Sequence, residues 1–272
     1  MNLCKDQHIV TIMQVRRNSS RLPDKVLLPL KGEFLFFRQL ERIMSCTLTG
    51  TVVVATTTSK ADDVVAEFCG QKKIPCFRGH PFDLLDRHYK AAELYGANIV
   101  VKIPSDCPLI DPAIIDKVIQ FFLDNKNELD YASNLHPATY PDGNDVEIMH
   151  FKALENAWVN AVEGFEREHT TPYIWERPDK FRIGNVAMRH GQDYSLKHRW
   201  TIDYPEDYEF INKVYNHLYP LNSFFGMEQV LALINEHPEI YNINNHLVGL
   251  NWYRHHLDQL KTIDALQTKI YD

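Results

Sequence analysis

The sequence has no run of 18 consecutive apolar residues, so no helix able to span a bilayer is expected. Its opening residues, MNLCKDQHIV, lack the apolar stretch and cleavage site of a secretion signal, and a cytoplasmic location is expected. Five cysteines (Cys4, Cys46, Cys69, Cys76 and Cys107) form no C-x-x-C pair. An odd, scattered set fits reduced thiols better than a disulfide framework, and it argues against zinc. His255 and His256 are adjacent rather than four apart on one helix face, and are read as surface. Basic residues are outnumbered, 29 Lys and Arg against 36 Asp and Glu, and the net charge of −7 argues against a nucleic-acid partner. The chain has no internal repeat, low-complexity tract or Gly/Ser linker.

What remains is ordinary in bulk. A chain of 272 residues, 44% hydrophobic and 24% charged, is long enough for one globular domain, alone or with a smaller lobe. Strand-like and helix-like segments alternate through the first half. Apolar, β-branched runs at 9–13, 51–57, 74–77 and 98–103 predict strands. Helices are expected at 34–44, 61–69, 83–95 and 112–123, with Ser59 and Asp111 as N-caps and Gly70 and Gly96 as stops. This alternation predicts an α/β, Rossmann-like, doubly wound and mainly parallel sheet. The second half is less regular. Strands are expected at 130–134, 145–149, 181–188 and 199–202, and helices at 152–162, 167–175, 206–218, 227–236 and 252–270.

One stretch runs against the overall charge. Between residues 16 and 31 stand Arg16, Arg17, Arg21, Lys25 and Lys31 against the single acid Asp24, a local charge of +4. It follows the first strand directly, where an open α/β sheet binds its ligands. Loop amides and fixed cations together suit a polyphosphate. From the residues alone, a phosphate cradle and a solvated basic loop fit about equally.

Two acids also follow predicted strands. Asp106 lies in SDCPLI after the strand 98–103, and Asp203 in RWTIDYPED after 199–202. Acids from two strand ends suit Mg²⁺, which takes one or two carboxylates plus phosphate oxygens. Taken singly, each is more simply a turn or helix-cap residue.

Three of these stretches together resemble the CMP-sugar synthetase, or cytidylyltransferase, superfamily. Arg16, Ser19, Arg21, Leu22, Pro23 and Lys25 match its nucleotide loop. Asp106-Cys107-Pro108-Leu109-Ile110 and Trp200-Thr201-Ile202-Asp203-Tyr204-Pro205-Glu206-Asp207 match its other two signatures, in the same order. The resemblance is greatest to the branch of spore coat polysaccharide biosynthesis protein F. This chain departs from it at Val15, Arg17, Asn18, Ser20 and Asp24. Asn18 and Asp24 replace glycines, and Asp24 adds negative charge.

The resemblance implies a nucleotidyltransferase (GT-A-like) sheet with a smaller mixed lobe. It implies a nucleotidyltransferase domain over 1–236, an acceptor and dimerisation lobe at about 130–198, and a C-terminal helical extension over 237–272. Arg16, Lys25, Asp106 and Asp203 are implied as catalytic, with Mg²⁺ on the two aspartates. Gln14, Arg16, Ser19, Arg21, Lys25 and Arg87 are the implied nucleotide contacts, with Gly79 permitting a close turn. The patterns Asp142-Gly143-Asn144-Asp145-Val146-Glu147 and Arg167-Glu168-His169 imply acceptor contacts from Asp145, Glu147, Arg167, Glu168 and His169. The implied reaction is CTP-dependent transfer of CMP to an acidic or modified sugar for surface polysaccharide, by a cytoplasmic homodimer. Two other readings stand beside it. A GT-A-type glycosyltransferase usually shows Asp-x-Asp where this chain has Ser105-Asp106-Cys107, and a non-catalytic nucleotide-binding subunit would accommodate Asn18 and Asp24.

Overall fold

The computed structural model describes residues 8–19 and 21–270; Cys4 and Ser20 lie outside them. Seven strands form one sheet. They are β1 (Ile9–Gln14), β4 (Thr51–Thr57), β5 (Cys76–Gly79), β6 (Ile99–Ile103), β7 (Tyr131–Ser133), β8 (Glu147–His150) and β9 (Ile183–Asn185), in the order β5-β4-β1-β6-β8-β7-β9. The first four strands are parallel, and β8 runs antiparallel to both β6 and β7. The sheet is therefore doubly wound and mainly parallel, as expected. The strands of the second half extend the same sheet. A two-stranded ribbon, β2 (Pro29–Leu30) with β3 (Glu33–Phe34), leads out of the basic loop.

Both faces of the sheet are buried, which explains the unbroken apolar runs. Along β1, Ile9 and Met13 enter one core and Val10 and Ile12 the other. The first core packs under α1 (Leu35–Met44), α2 (Asp63–Lys72), α4 (Pro112–Asp124), α8 (Pro205–Leu218) and α9 (Met227–Glu236). The second lies beneath α3 (Leu84–Leu94), α5 (Phe151–Asn160), α6 (Gly164–His169) and α7 (Pro172–Trp175). Each fully buried Val or Ile contributes about 1.5–3 kcal/mol, which holds the strand ends in place.

Two caps stand where the sequence indicated: Asp111 accepts from Ala113 N and Ser59 from Ala61 N; Asp83, expected as the first helical residue, instead caps α3 by accepting from Asp86 N. Four expectations are corrected. Gly70 lies inside α2, which runs to Lys72 and ends at Lys73 with φ 57°. The helix expected over 167–175 breaks at Thr170, where φ is 76°, into α6 and α7. Residues 199–202 form no strand, because their backbone changes partners. Trp200 N bonds Asp142 O at 2.7 Å, and Ile202 N then bonds Asp106 O at 2.9 Å. The helical extension expected at the C-terminus is instead one short helix, α10 (Pro238–Tyr241), followed by isolated 3-10 turns. Its backbone amides find tertiary partners: Lys261 N and Thr262 N bond Glu176, and Lys269 N bonds Gly249 O. A helix there would leave those carbonyl and carboxylate acceptors unpaired.

Candidate active site

The order of the parallel strands reverses between β1 and β6, and ligands of open α/β sheets bind at that reversal. The basic loop leaves β1 there, and the loop with Asp106 leaves β6. Buried Gln39 of α1 pins the second loop, donating to Pro104 O at 2.5 Å and accepting from Cys107 N at 2.9 Å. The partner-changing segment 199–202 then brings Asp203 beside Asp106.

Lys25 joins the three motifs. Its Nζ lies 2.9 Å from Asp106 Oδ2, 2.9 Å from Asp203 Oδ1 and 2.7 Å from Ile202 O. Arg21 reaches the same Asp203 oxygen at 2.7 Å. Burial opposes the Lys25 charge, but the two carboxylates outweigh it and raise its pKa. Burial likewise opposes the Asp203 charge, and Lys25 and Arg21 outweigh it, so its pKa is lowered. Both carboxylates thus face one point. Their hard oxygen donors suit Mg²⁺, with phosphate completing the shell. Among the described residues, no group of three or more His, Cys, Asp or Glu could hold a metal by itself.

A buried brace aims Asp203. Asp207 accepts from Asp203 N at 2.9 Å, from Tyr204 N at 3.0 Å and from Arg199 Nε at 2.9 Å. Fully buried Arg199 also lies 3.4 Å from Asp203 Oδ2 and 3.5 Å from Asp142 Oδ2. Asn244 donates to Asp207 at 2.9 Å, and Leu250 O accepts from Arg199 at 2.8 Å. Gly143 lets the Asp142 turn approach: a Cβ there would meet Trp200 C at 2.7 Å, and φ is 105°.

The rest of the basic loop lines a cavity of about 340 Å³ with Arg16, Asn18, Thr57, Thr58, Ser59, Asp62, Pro81 and Phe82 on its walls. Asp24 takes the left-handed conformation, φ 57°, that glycine would adopt freely. Its charge is met within the loop by Arg17, at 2.8 and 2.9 Å. Arg17 therefore braces the loop. Asn18 has no positive φ. Ser19 N bonds Arg17 O at 2.8 Å, closing the turn. Arg87 is wholly buried, donating to His80 O at 2.8 Å and Gln14 Oε1 at 3.3 Å. Burial, then the charge of Arg16, lowers its pKa to about 10. A Cβ on Gly79 would meet the Phe77 ring at 2.6 Å, so the close turn does need glycine.

The expected acceptor residues do not converge as one group. Asp145 and Glu147 flank Val146 at the start of β8. Glu147 is held by Lys102 and by Tyr131 OH at 2.7 Å. Arg167 turns instead to Asp83, at 2.6 and 2.9 Å, and to Trp158 O, which ties α6 to the cap of α3. Glu168 is exposed. His169 stacks on Trp252 at 3.8 Å between ring centroids, and burial lowers its pKa to about 3. Burial raises Asp142 to about 8 and Asp145 to about 6, with neighbouring carboxylates adding to both. His255 is exposed as expected, but His256 packs against Phe165 and His169. Sequence reasoning gave no role to Lys102, Arg199 or Asp142, although the last two stand in motifs it singled out, and it read 252–256 as part of a helix. A lone lysine inside the apolar run NIVVKI was the one available signal for Lys102.

Residues 10–239 match the cytidylyltransferase family. The chain belongs to that family. A relative from Methanocaldococcus jannaschii, uncharacterized protein MJ1063, is 34% identical over 88% of this chain and 95% of its own length. The spore coat polysaccharide biosynthesis protein SpsF of Bacillus subtilis is 28% identical over 85% of this chain and 95% of its own. A solved cytidylyltransferase from Leptospira borgpetersenii superposes with a TM-score of 0.81 at 32% identity, covering 86% of this chain and 97% of that one. A CMP:2-keto-3-deoxy-manno-octonic acid synthetase solved with CTP shares the fold, with a TM-score of 0.57 at 18% identity over 76% of this chain and 98% of that one. This cytidylyltransferase is thus a nucleotidyltransferase built on a Rossmann-like sheet.

Proposed function

We propose that the protein transfers CMP from CTP to a hydroxyl of an acidic or otherwise modified sugar, releasing pyrophosphate. The observation that carries the reading is the convergence of Lys25, Asp106 and Asp203, from three separate motifs, on the loop whose Arg16 lines a cavity, in a chain of this family. The acceptor oxygen attacks the α-phosphorus, the bond to the β-phosphate breaks with its electron pair going to pyrophosphate, and the hydroxyl proton passes to solvent water. Arg16, Arg21 and Lys25 neutralise the triphosphate as charge moves onto the pyrophosphate. Ser19 and the loop amides line the phosphates, and Gln14, positioned by Arg87, faces the base. Asp106 and Asp203 would hold Mg²⁺, which supplies charge neutralisation and acidifies the attacking hydroxyl. Asp145, Glu147, Glu168 and His169 serve the acceptor side, Glu147 and His169 by shaping it. Arg167 acts there only by holding α6 in place.

The names of two similar proteins, one of spore coat polysaccharide biosynthesis and one a sugar-acid synthetase, support a sugar acceptor and a surface polysaccharide as its destination. The proposal extends to a cytoplasmic homodimer, checked by light scattering. The chain has no described helix long and apolar enough to cross a membrane. The test is pyrophosphate release with each of the four nucleoside triphosphates and Mg²⁺ against a sugar panel. Release with CTP alone supports the reading. Absence of both release and CTP-dependent thermal stabilisation overturns it.

A further inference from the structure

The stretches that follow the parallel strands β1, β4 and β5 meet at one edge of the sheet, and together they wall the cavity of about 340 Å³. Asp106 follows β6, on the other side of β1. Most of the cavity wall is polar or charged, with Arg16 from the first stretch and Thr58, Ser59 and Asp62 from the second. The third stretch supplies the apolar part, Pro81 and Phe82. Phe82 is 74% exposed. Among the described residues its one ring contact is the edge of His80, at 6.4 Å between centroids.

A single exposed apolar side chain is ordinary on a protein surface. This one stands on a turn that is fastened on every side. His80 Nδ1 accepts from Phe82 N at 3.2 Å and from Asp83 N at 2.8 Å. Thr58 N donates to Gly79 O at 3.0 Å, and Asp83 caps α3 and pairs with Arg167. Wholly buried Arg87 donates to His80 O at 2.8 Å and to Gln14 Oε1 at 3.3 Å. The turn is thereby tied to the residue that faces the base in the reading above. A flat apolar ring is thus held in place on the wall of a cavity that is otherwise charged and polar. A nucleotide is divided in the same way: charged phosphates, polar hydroxyls and base edges, and an apolar face on each side of the base. An aromatic ring covers such a face with more gain than bare apolar contact. A ring on a rigid turn also loses little freedom when it does so.

We propose that Phe82 is the platform on which the base of the bound nucleotide stacks, and that it supplies affinity for CTP beyond that of the phosphates. This rests on the cytidylyltransfer reading above and deepens its nucleotide site. Every base has a face to stack, so Phe82 sets how tightly a nucleotide is held and leaves the choice of base to polar groups at its edge.

The test uses the full chain with Mg²⁺ and no acceptor. Phe82→Trp places an indole at the platform, and its emission is compared with that of the unchanged chain and its four tryptophans. CTP should quench the added emission. Inorganic tripolyphosphate, which carries the phosphates and no base, should not. In calorimetric titrations, Phe82→Ala should bind CTP about 10-fold more weakly and tripolyphosphate as before. Phe82→Leu keeps apolar bulk without a ring face and should lose nearly as much, whereas Phe82→Tyr should bind CTP as the unchanged chain does. Equal quenching by tripolyphosphate overturns the platform, because the ring would then follow the phosphate loop and not the base. An equal loss of CTP and tripolyphosphate affinity in Phe82→Ala, or no loss of either, overturns it too. CTP-dependent thermal stabilisation without quenching overturns the platform alone. No CTP-dependent stabilisation of the unchanged chain overturns the platform together with the reading beneath it.

Discussion

In the loop after β1, cations turn toward the site: Lys25 and Arg21 meet on Asp203, and Arg16 lines the cavity. In the wall built from β8, α6 and the C-terminal turn, cations are tied down, Lys102 by Glu147 and Arg167 by Asp83. The same residue types therefore do different work in the two regions: Lys25 and Arg21 gather on the aspartates of the family's motifs, while Lys102 and Arg167 tie secondary-structure elements together. A triphosphate needs positive charge that can shift toward it as pyrophosphate leaves. A sugar needs a rigid surface of rings and acceptors, and charge is consumed in making it rigid. Arg16 and Arg167 each sit in a matched motif, and only their partners tell them apart.

The largest expected effect breaks the loop end. Asp203→Ala or Asp106→Ala should lower the rate of pyrophosphate release by about 10³-fold, with CD spectra showing a folded chain. Lys25→Met should cost about 10²-fold in kcat, since one preorganised cation is lost. Neither loss should be matched by any substitution in the wall.

The next test sharpens the other end. Arg167→Ala removes a partly buried pair and a bond to Trp158 O, and should destabilise the fold by about 1–3 kcal/mol. A fall in Tm with an unchanged KM for CTP is expected. A raised KM for the sugar at constant Tm would return Arg167 to direct contact with the acceptor.

A pH scan separates the ends by their neutral groups. Burial lowers the fully buried His88, behind the wall, from 6.5 to about 3. Its folded pKa lies below its unfolded value, so below about pH 6.5 the unfolded chain binds the extra proton. Tm should fall as pH is lowered from about 6.5 toward 4, and His88→Gln should flatten that slope. An equal slope in the variant would remove His88 from the account.

The smallest effect is expected from Asp24→Gly. It relieves a left-handed backbone but frees Arg17 from its partner. Tm should hardly move, while the KM for CTP should fall as a carboxylate leaves the phosphate loop. A rise would show that the braced Arg17 is needed where it stands.

The parallel half of the sheet was legible because its signal is local. Apolar β-branched runs, Ser59 and Asp111 before helices, and a basic loop after β1 each carry their meaning within a few residues. The segment 199–202 was misjudged as a strand because its apolar pattern is real, but its hydrogen bonds go to two different loops. The tail was misjudged as a helix for the same reason: Glu176, 85 residues from Lys261, takes the amide a helix would have used. Asp24 looked like an intrusion of negative charge until Arg17 was seen to hold it.

By itself, the sequence determined the class of sheet, the order of its motifs and the family. Each depends on periodicity or on residues adjacent in the chain. Only the tertiary structure decided which charges are available. Lys25 meets Asp106 and Asp203 across 81 and 178 residues, and Arg167 meets Asp83 across 84. A side chain's charge is a property of its type. Whether that charge faces a ligand or is cancelled by a neighbour depends on distances that only folding sets.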